Sequence, residues 1–313
     1  MNGVINFLEL AIPGMVAFVL AAQGTMLGGR AGVFNVSQEG LMALGASVGF
    51  LVSYKLGGTF GTNMIGLAVA AAAAAAMGLI LAYTTTILRL DQFVVGLALF
   101  FAGIGLASLL YRVVIGIVPQ PPQIDTLDTI PIPLLSEIPL LGPTLFDQDI
   151  VVYFMFLLSG LLYWVLYRTN LGMKMRSVGE NPRAADAAGI SVTKVRFWAT
   201  ALGAALMGMG GAYLPMHFSG IYTDGIIAGR GWLAIALAFV GGWRPQYVLL
   251  GAAFFACMEI TALELQSSTV IPVEFIETFP YVAALVVMAF IFRRTQVPAF
   301  LGRNYDRESR TAS

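Results

Sequence analysis

Of the 313 residues, 58% are hydrophobic and only 11% are charged, against about 25% charged in ordinary soluble domains, so the chain is excluded from the soluble globular class and is expected to be a polytopic membrane protein. Its 17 basic and 17 acidic residues cancel, so the balance itself says nothing about nucleic acid and the distribution of charge along the chain says more; no nucleic-acid partner is expected. The single cysteine, Cys257, lies in an apolar stretch and can form no intrachain disulfide.

No Lys or Arg precedes Arg30. The first apolar stretch therefore lacks the basic flank of a cleavable signal and is expected to remain as a helix. A helix needs about 20 apolar residues to cross a bilayer, and nine stretches qualify: Val4–Leu27, Asn35–Tyr54, Thr62–Leu88, Phe93–Leu110, Ile150–Tyr167, Phe197–Met216, Gly225–Gly242, Tyr247–Leu265 and Phe275–Phe292. The expected fold is all-α, with about nine transmembrane helices and a range of about eight to ten if one piece is short or re-entrant. Alternation from the basic central loop puts the N-terminus outside and the C-terminus in the cytoplasm. Fourteen of the 17 basic residues then lie on the inner side, leaving Lys55, Arg112 and Arg230 outward, as the positive-inside bias requires.

Asn35, Ser37, Gln38 and Glu39 fall together at the start of the second stretch, beside Gly32 and Gly40 and close to Arg30. Polar groups at membrane depth are expensive and usually face a cavity or a partner helix. Two readings stand: the cluster meets a polar solute, or Arg30 and Glu39 pair at the membrane surface. The alanine run Ala68–Ala76 is a packing surface for close helix approach. The outer connection, residues 117–149, holds seven of the 14 prolines and five acids with no Lys or Arg; it is a stiffened docking rim or a plain connector.

The one long polar interruption that can form a helix is Tyr167–Arg196. Asn181 is a good N-cap, Pro182 suits the first helical position, Arg183 to Ala188 is alanine-rich and Gly189 can take the left-handed terminating turn. So short a helix needs support from outside itself: it is offered to a partner, or it packs on its own bundle. Further on, Ala228–Gly242 resembles Gly28–Gly49, each starting at a Gly-Arg and running into small apolar residues. In the alternating topology the two enter from opposite sides, the arrangement of an inverted repeat of broken helices around a substrate path.

Glu259 and Glu264 lie about 140° apart around their helix and do not form a paired-carboxylate site. His217, Tyr222, Asp224 and Arg230 are expected to gather in an outer vestibule, with His217 structural. The tail, residues 293–313, is expected to be polar, cytoplasmic and frayed. No phosphate loop, zinc-protease motif, C-x-x-C or nucleophile elbow occurs, so no catalytic residue and no metal ligand is assigned. Any ATP used here must be bound by another polypeptide.

GVFNVSQEGLMALGA (Gly32–Ala46), VGENPRAADAAGISV (Val178–Val192) and AGRGWLAIALAFVGGWRP (Ala228–Pro245) resemble blocks of the permease subunits of ABC importers of the branched-chain amino acid, ribose and simple-sugar group, closest to nucleoside and simple-sugar permeases. The resemblance implies a permease domain over residues 1–292, with 117–149 as external loop and 168–196 as cytoplasmic coupling loop. Glu180, Asn181, Pro182, Arg183, Ala184, Ala185, Asp186, Ala187, Ala188 and Gly189 become candidate ATPase-coupling residues. It implies that solute passes between the second and seventh spans, with Asn35, Ser37, Gln38, Glu39 and Trp232 as candidate path residues. It also implies two ATPase chains that bind ATP and Mg, a second permease subunit and an external solute-binding lipoprotein, with lipid around the bundle and no cofactor in this chain. Ser37 and Gln38 depart from the commoner family pattern, which leaves the solute open. The alternative is a secondary transporter using Glu39, Glu259 or Glu264 as ion ligands.

Overall fold

A bilayer core offers no water to unpaired backbone groups, so the apolar runs fold as helices. In the computed structural model, which describes residues 2–139, 141–268, 272–291 and 296–306, α1 (Asn2–Arg30), α2 (Gln38–Lys55), α3 (Phe60–Thr86) and α4 (Gln92–Ile115) precede a long connection. α5 (Ile150–Arg168), α6 (Asn170–Glu180), α7 (Pro182–Ala187) and α8 (Val192–Leu214) follow, then α9 (Arg230–Val240), α10 (Pro245–Ser268) and α11 (Val273–Ile291). The connection carries an antiparallel ribbon of β1 (Thr129–Pro131) and β2 (Asp147–Asp149), pairing Ile130 with Gln148.

Every predicted apolar stretch holds a helix, and among the described residues six helical segments are long and apolar enough to cross a membrane. The chain is thus an all-α polytopic membrane protein. α2 has 18 residues and α9 only 11. The expected span 225–242 shrinks to α9 because Gly225, Ala228 and Gly229 take φ of 84°, 49° and 78°, which breaks the helix before Arg230. At 1.5 Å per residue α9 is about 16 Å long, roughly half a hydrocarbon core.

α8 lies at the centre, against α1, α2 and α3. Small residues make this close approach, which in lipid must come from packing rather than from hydrophobic exclusion. A Cβ on Gly45 would overlap the Gly208 backbone, and one on Gly208 would overlap Ala74 of the alanine run.

The connection 117–149 seals one end of the bundle: Asp125 N–H donates to Gly58 O at 2.8 Å and Leu127 N–H to Met216 O at 2.9 Å. α6, α7 and the α1–α2 and α3–α4 turns lie at the other end, together with residues 296–306. Within the tail expected to fray, residues 296–306 form a strap, and the rest of that tail lies outside the described residues. Phe300 N–H donates to Gly179 O at 2.9 Å, Asn304 Nδ2 donates to Arg89 O at 2.6 Å, and Arg89 pairs with Asp306 at 2.9 Å. Helix and turn ends leave carbonyl groups unpaired, and the strap supplies their donors. Arg293, Arg294, Arg307 and Arg310 lie outside the described residues.

Candidate translocation site and coupling segment

The predicted caps of the short helix α7 are present. Asn181 Oδ1 accepts from Ala184 N–H at 3.0 Å, Pro182 opens α7, and Gly189 takes a φ of 80° while Ile190 N–H donates to Ala185 O at 3.0 Å. Six residues cannot persist alone as a helix. Ala185, 3% exposed, forms a small core with Val178 and Val192, against which Tyr305 of the strap packs. Tyr305 Oη donates to Asp186 Oδ2 at 3.0 Å, and Ala299 N–H donates to Glu180 Oε2 at 3.3 Å. Pro182 and Ala185 therefore face inward, while Glu180, Asn181, Arg183, Ala184, Ala187, Ala188 and Gly189 are exposed and Asp186 is half-buried. The preceding helix α6 was not expected. Its signal was Leu171, Met175 and Val178 at helical spacing, with Thr169 Oγ1 accepting from Gly172 N–H at 3.3 Å to cap its start.

Between α1 and α2 the chain is unwound through residues 31–37. Asn35 Oδ1 accepts from the N–H of Ser37 at 2.8 Å and from its hydroxyl at 2.6 Å, closing an Asx turn. Gln38 Nε2 donates to Asn35 O at 3.1 Å. Asn35, Ser37 and Gln38 are all buried and bonded to one another rather than open to a cavity. Glu39 points across to the start of α9, where Gly229 N–H donates to Oε1 at 2.7 Å and Gly231 N–H to Oε2 at 2.8 Å. The carboxylate thus satisfies orphan donors at a helix N-terminus, where the macrodipole also favours negative charge. The two helices start against each other: a Cβ on Gly231 would come 2.5 Å from the Glu39 nitrogen. Trp232, one residue on, is 42% exposed and packs edge-on against Phe100 at 5.5 Å. Of the five expected path residues, Glu39 joins α2 to α9 and Trp232 faces outward, while the other three shape the unwound turn.

Arg30 is not the partner of Glu39. Its Nε donates to Trp243 O at 2.8 Å and one Nη to the Tyr167 hydroxyl at 3.1 Å, because the α1 C-terminus lies beside the end of α9 rather than beside its start. Arg196, which reads in the sequence as one more loop base, is 1% exposed. Its Nε donates to Ala31 O at 3.2 Å and an Nη to Arg303 O at 3.0 Å, clamping the unwound turn to the strap. No local pattern marks it.

The expected outer vestibule divides into three separate contacts. Arg230 pairs with Glu259 on one wall of a 280 Å³ cavity that also touches Phe18 and Tyr281. Tyr222 Oη donates to Asp224 Oδ1 at 3.4 Å, and Arg112 lies 3.8 Å from the other oxygen. His217 belongs with Asp149, fully buried at the start of α5, whose Oδ1 accepts from Val151 and Val152 N–H at 2.8 and 3.1 Å. Oδ2 of Asp149 accepts from the Tyr213 hydroxyl at 2.6 Å and lies 2.8 Å from His217 Nδ1. Burial alone would raise the Asp149 pKa, but His217, Tyr213 and the Val152 N–H favour the carboxylate enough to hold it below the usual value.

Residues 6–292 match the family described as branched-chain amino acid transport system / permease component. The chain belongs to this family. The permease is 31% identical to the nucleoside ABC transporter permease NupC of Lactococcus lactis, over 96% of this chain and 98% of that one. It is 27% identical to the guanosine ABC transporter permease NupQ of Bacillus subtilis, over 98% and 99% of the two chains. A Haloferax volcanii protein named as a glucose ABC transporter permease, TsgC13, is 29% identical over 97% and 98%. The permease is a multi-pass transport subunit of an ABC system, not an enzyme, and works with an ABC ATPase.

Proposed function

We propose that the permease carries a nucleoside or a simple sugar inward as half of a paired membrane unit, with a second permease, two ATPase chains and an external solute-binding lipoprotein. ATP and Mg are bound by the ATPases, and this chain needs no cofactor. The observation that carries the solute class is the near full-length similarity to permeases named for nucleosides, guanosine and glucose. Nine helices enter the membrane, with the N-terminus outside and the C-terminus cytoplasmic. What supports this sidedness is that the strap, α6 and α7 share one end of the bundle while residues 117–149 seal the other.

In this reading α2 and α9 are the broken helices of an inverted repeat, their N-termini meeting at depth through Glu39, and the Trp232 side of that junction faces the path. Asn181 to Gly189 dock on the ATPase through the exposed Arg183, Ala184, Ala187 and Ala188. The ion-coupled alternative is disfavoured because Glu39 and Glu259 already serve as a helix cap and an ion-pair partner. Uptake of labelled guanosine and glucose by proteoliposomes holding the complete transporter tests the solute class. The reading expects ATP-dependent uptake of one of them. Failure of both, with transport of a branched-chain amino acid instead, would overturn it.

A further inference from the structure

At the inner end, a groove of about 600 Å³ runs between α5, α6 and the first turns of α8, used by neither the α2–α9 junction nor the outward face of α7. Its lips are Leu171, Trp198 and Leu202, exposed by 66%, 62% and 57%, so the groove opens to surroundings that accept apolar surface. No carboxylate lines it, whereas Lys174 from α6 and Lys194 from α8 both do. Each lysine is exposed, and neither has an ion-pair partner among the described residues.

Hydrocarbon lips, two cations at one end and a tryptophan beside them describe a site that straddles the headgroup level of a leaflet, where Trp and Lys both settle. Basic pockets between membrane helices on the cytoplasmic side recognise anionic headgroups. We propose that this groove holds one anionic glycerophospholipid, its phosphate between Lys174 and Lys194 and an acyl chain along α5 and α8. A soluble segment would have to cover the same leucines and tryptophan from within the bilayer, whereas a lipid already lies there. The residues just after α7, Gly189 to Ser191, also line the groove, so the bound lipid braces the exit of the coupling segment. The proposal rests on the cytoplasmic placement of α6 given above. Reaction of a Lys174→Cys variant with a membrane-impermeant thiol reagent from the ATPase side alone checks that placement separately.

The test uses the assembled transporter in nanodiscs of phosphatidylcholine with a rising fraction of phosphatidylglycerol, with retained lipid counted by native mass spectrometry. Each lysine near an anionic headgroup contributes about fivefold in affinity. The Lys174→Gln, Lys194→Gln pair should therefore lower the preference for phosphatidylglycerol about 25-fold, while the arginine pair restores it and Lys55→Gln at the other end leaves it unchanged. Retention unaltered in the glutamine pair would overturn the proposal. So would full displacement of the retained phosphatidylglycerol by inorganic phosphate alone, or a Leu202→Cys variant that cross-links to the second permease.

Discussion

Two short helices, α7 and α9, are both too short to stand alone, yet they are secured by opposite means. α7 carries its own caps, Asn181 and Gly189, within its immediate sequence, and only its support comes from elsewhere, through Ala185 and the Tyr305 strap. α9 begins after a glycine with positive φ and lacks a local side-chain cap; its first N–H groups are satisfied by Glu39, which lies 190 residues earlier. The lesson is that a helix with one face exposed at the surface carries a self-contained local design. The junction of α2 with α9 is closed instead by a distant carboxylate, which supplies the acceptors that the start of α9 lacks locally.

The largest expected effect breaks the α9 half of the comparison. Glu39→Ala leaves two N–H groups unpaired and removes charge-assisted bonds, so it should cost about 3 kcal/mol and lose folded permease. Glu39→Gln keeps one acceptor and should cost about half as much, retaining ATPase association with reduced uptake. Thermal unfolding of the two purified variants checks the order. If Glu39→Ala melts with wild type, the cap at α9 is not structural.

The α7 half is sharpened by two alanines two residues apart. Ala185→Arg forces a long charged side chain into the core with Val178 and should destabilise the permease by about 2 kcal/mol, whereas Ala187→Arg adds it to solvent and should leave the melting temperature within about a degree. The contrast corrects the simple picture of an alanine-rich helix offered whole to a partner, because only some of its alanines are available.

The end sealed by residues 117–149 offers a comparison with both. Asp149 is held below its ordinary pKa, so its contribution is complete above the unfolded value near 3.9 and is lost as pH falls through the folded one. Wild type should therefore lose melting temperature on acidification below about pH 4, while Asp149→Asn starts about 2 kcal/mol less stable and shows a flatter acid limb. Equal slopes would contradict this account. The smallest loss of stability is expected of Tyr305→Phe, the neutral Ala187→Arg control aside: it deletes one hydrogen bond to Asp186 and should cost about 1 kcal/mol, visible as faster amide hydrogen exchange confined to residues near α7.

What was legible in the sequence follows the same division. The apolar runs located the helices, and Asn181, Pro182 and Gly189 located α7, because each signal is complete within a few neighbouring residues. The polar cluster Asn35 to Glu39 was also visible, but its use was not, since an Asx turn and a bridge to Gly229 and Gly231 look alike until α2 and α9 are packed. Arg196, the Asp149–Tyr213–His217 knot and the strap could not be read, because each joins residues far apart in the chain. The glycines before α9 hinted at a broken span, yet the apolar content of 225–242 outweighed them.

The central claim is that the exposed side of α7 is where a separate ATPase takes hold. The most direct measurement is co-purification of the ATPase with Ala187→Arg permease, alongside the melting temperature of the isolated variant. A permease that melts as wild type but brings down no ATPase and supports no uptake is the predicted result. A folded variant that still binds the ATPase and transports at the wild-type rate would contradict it.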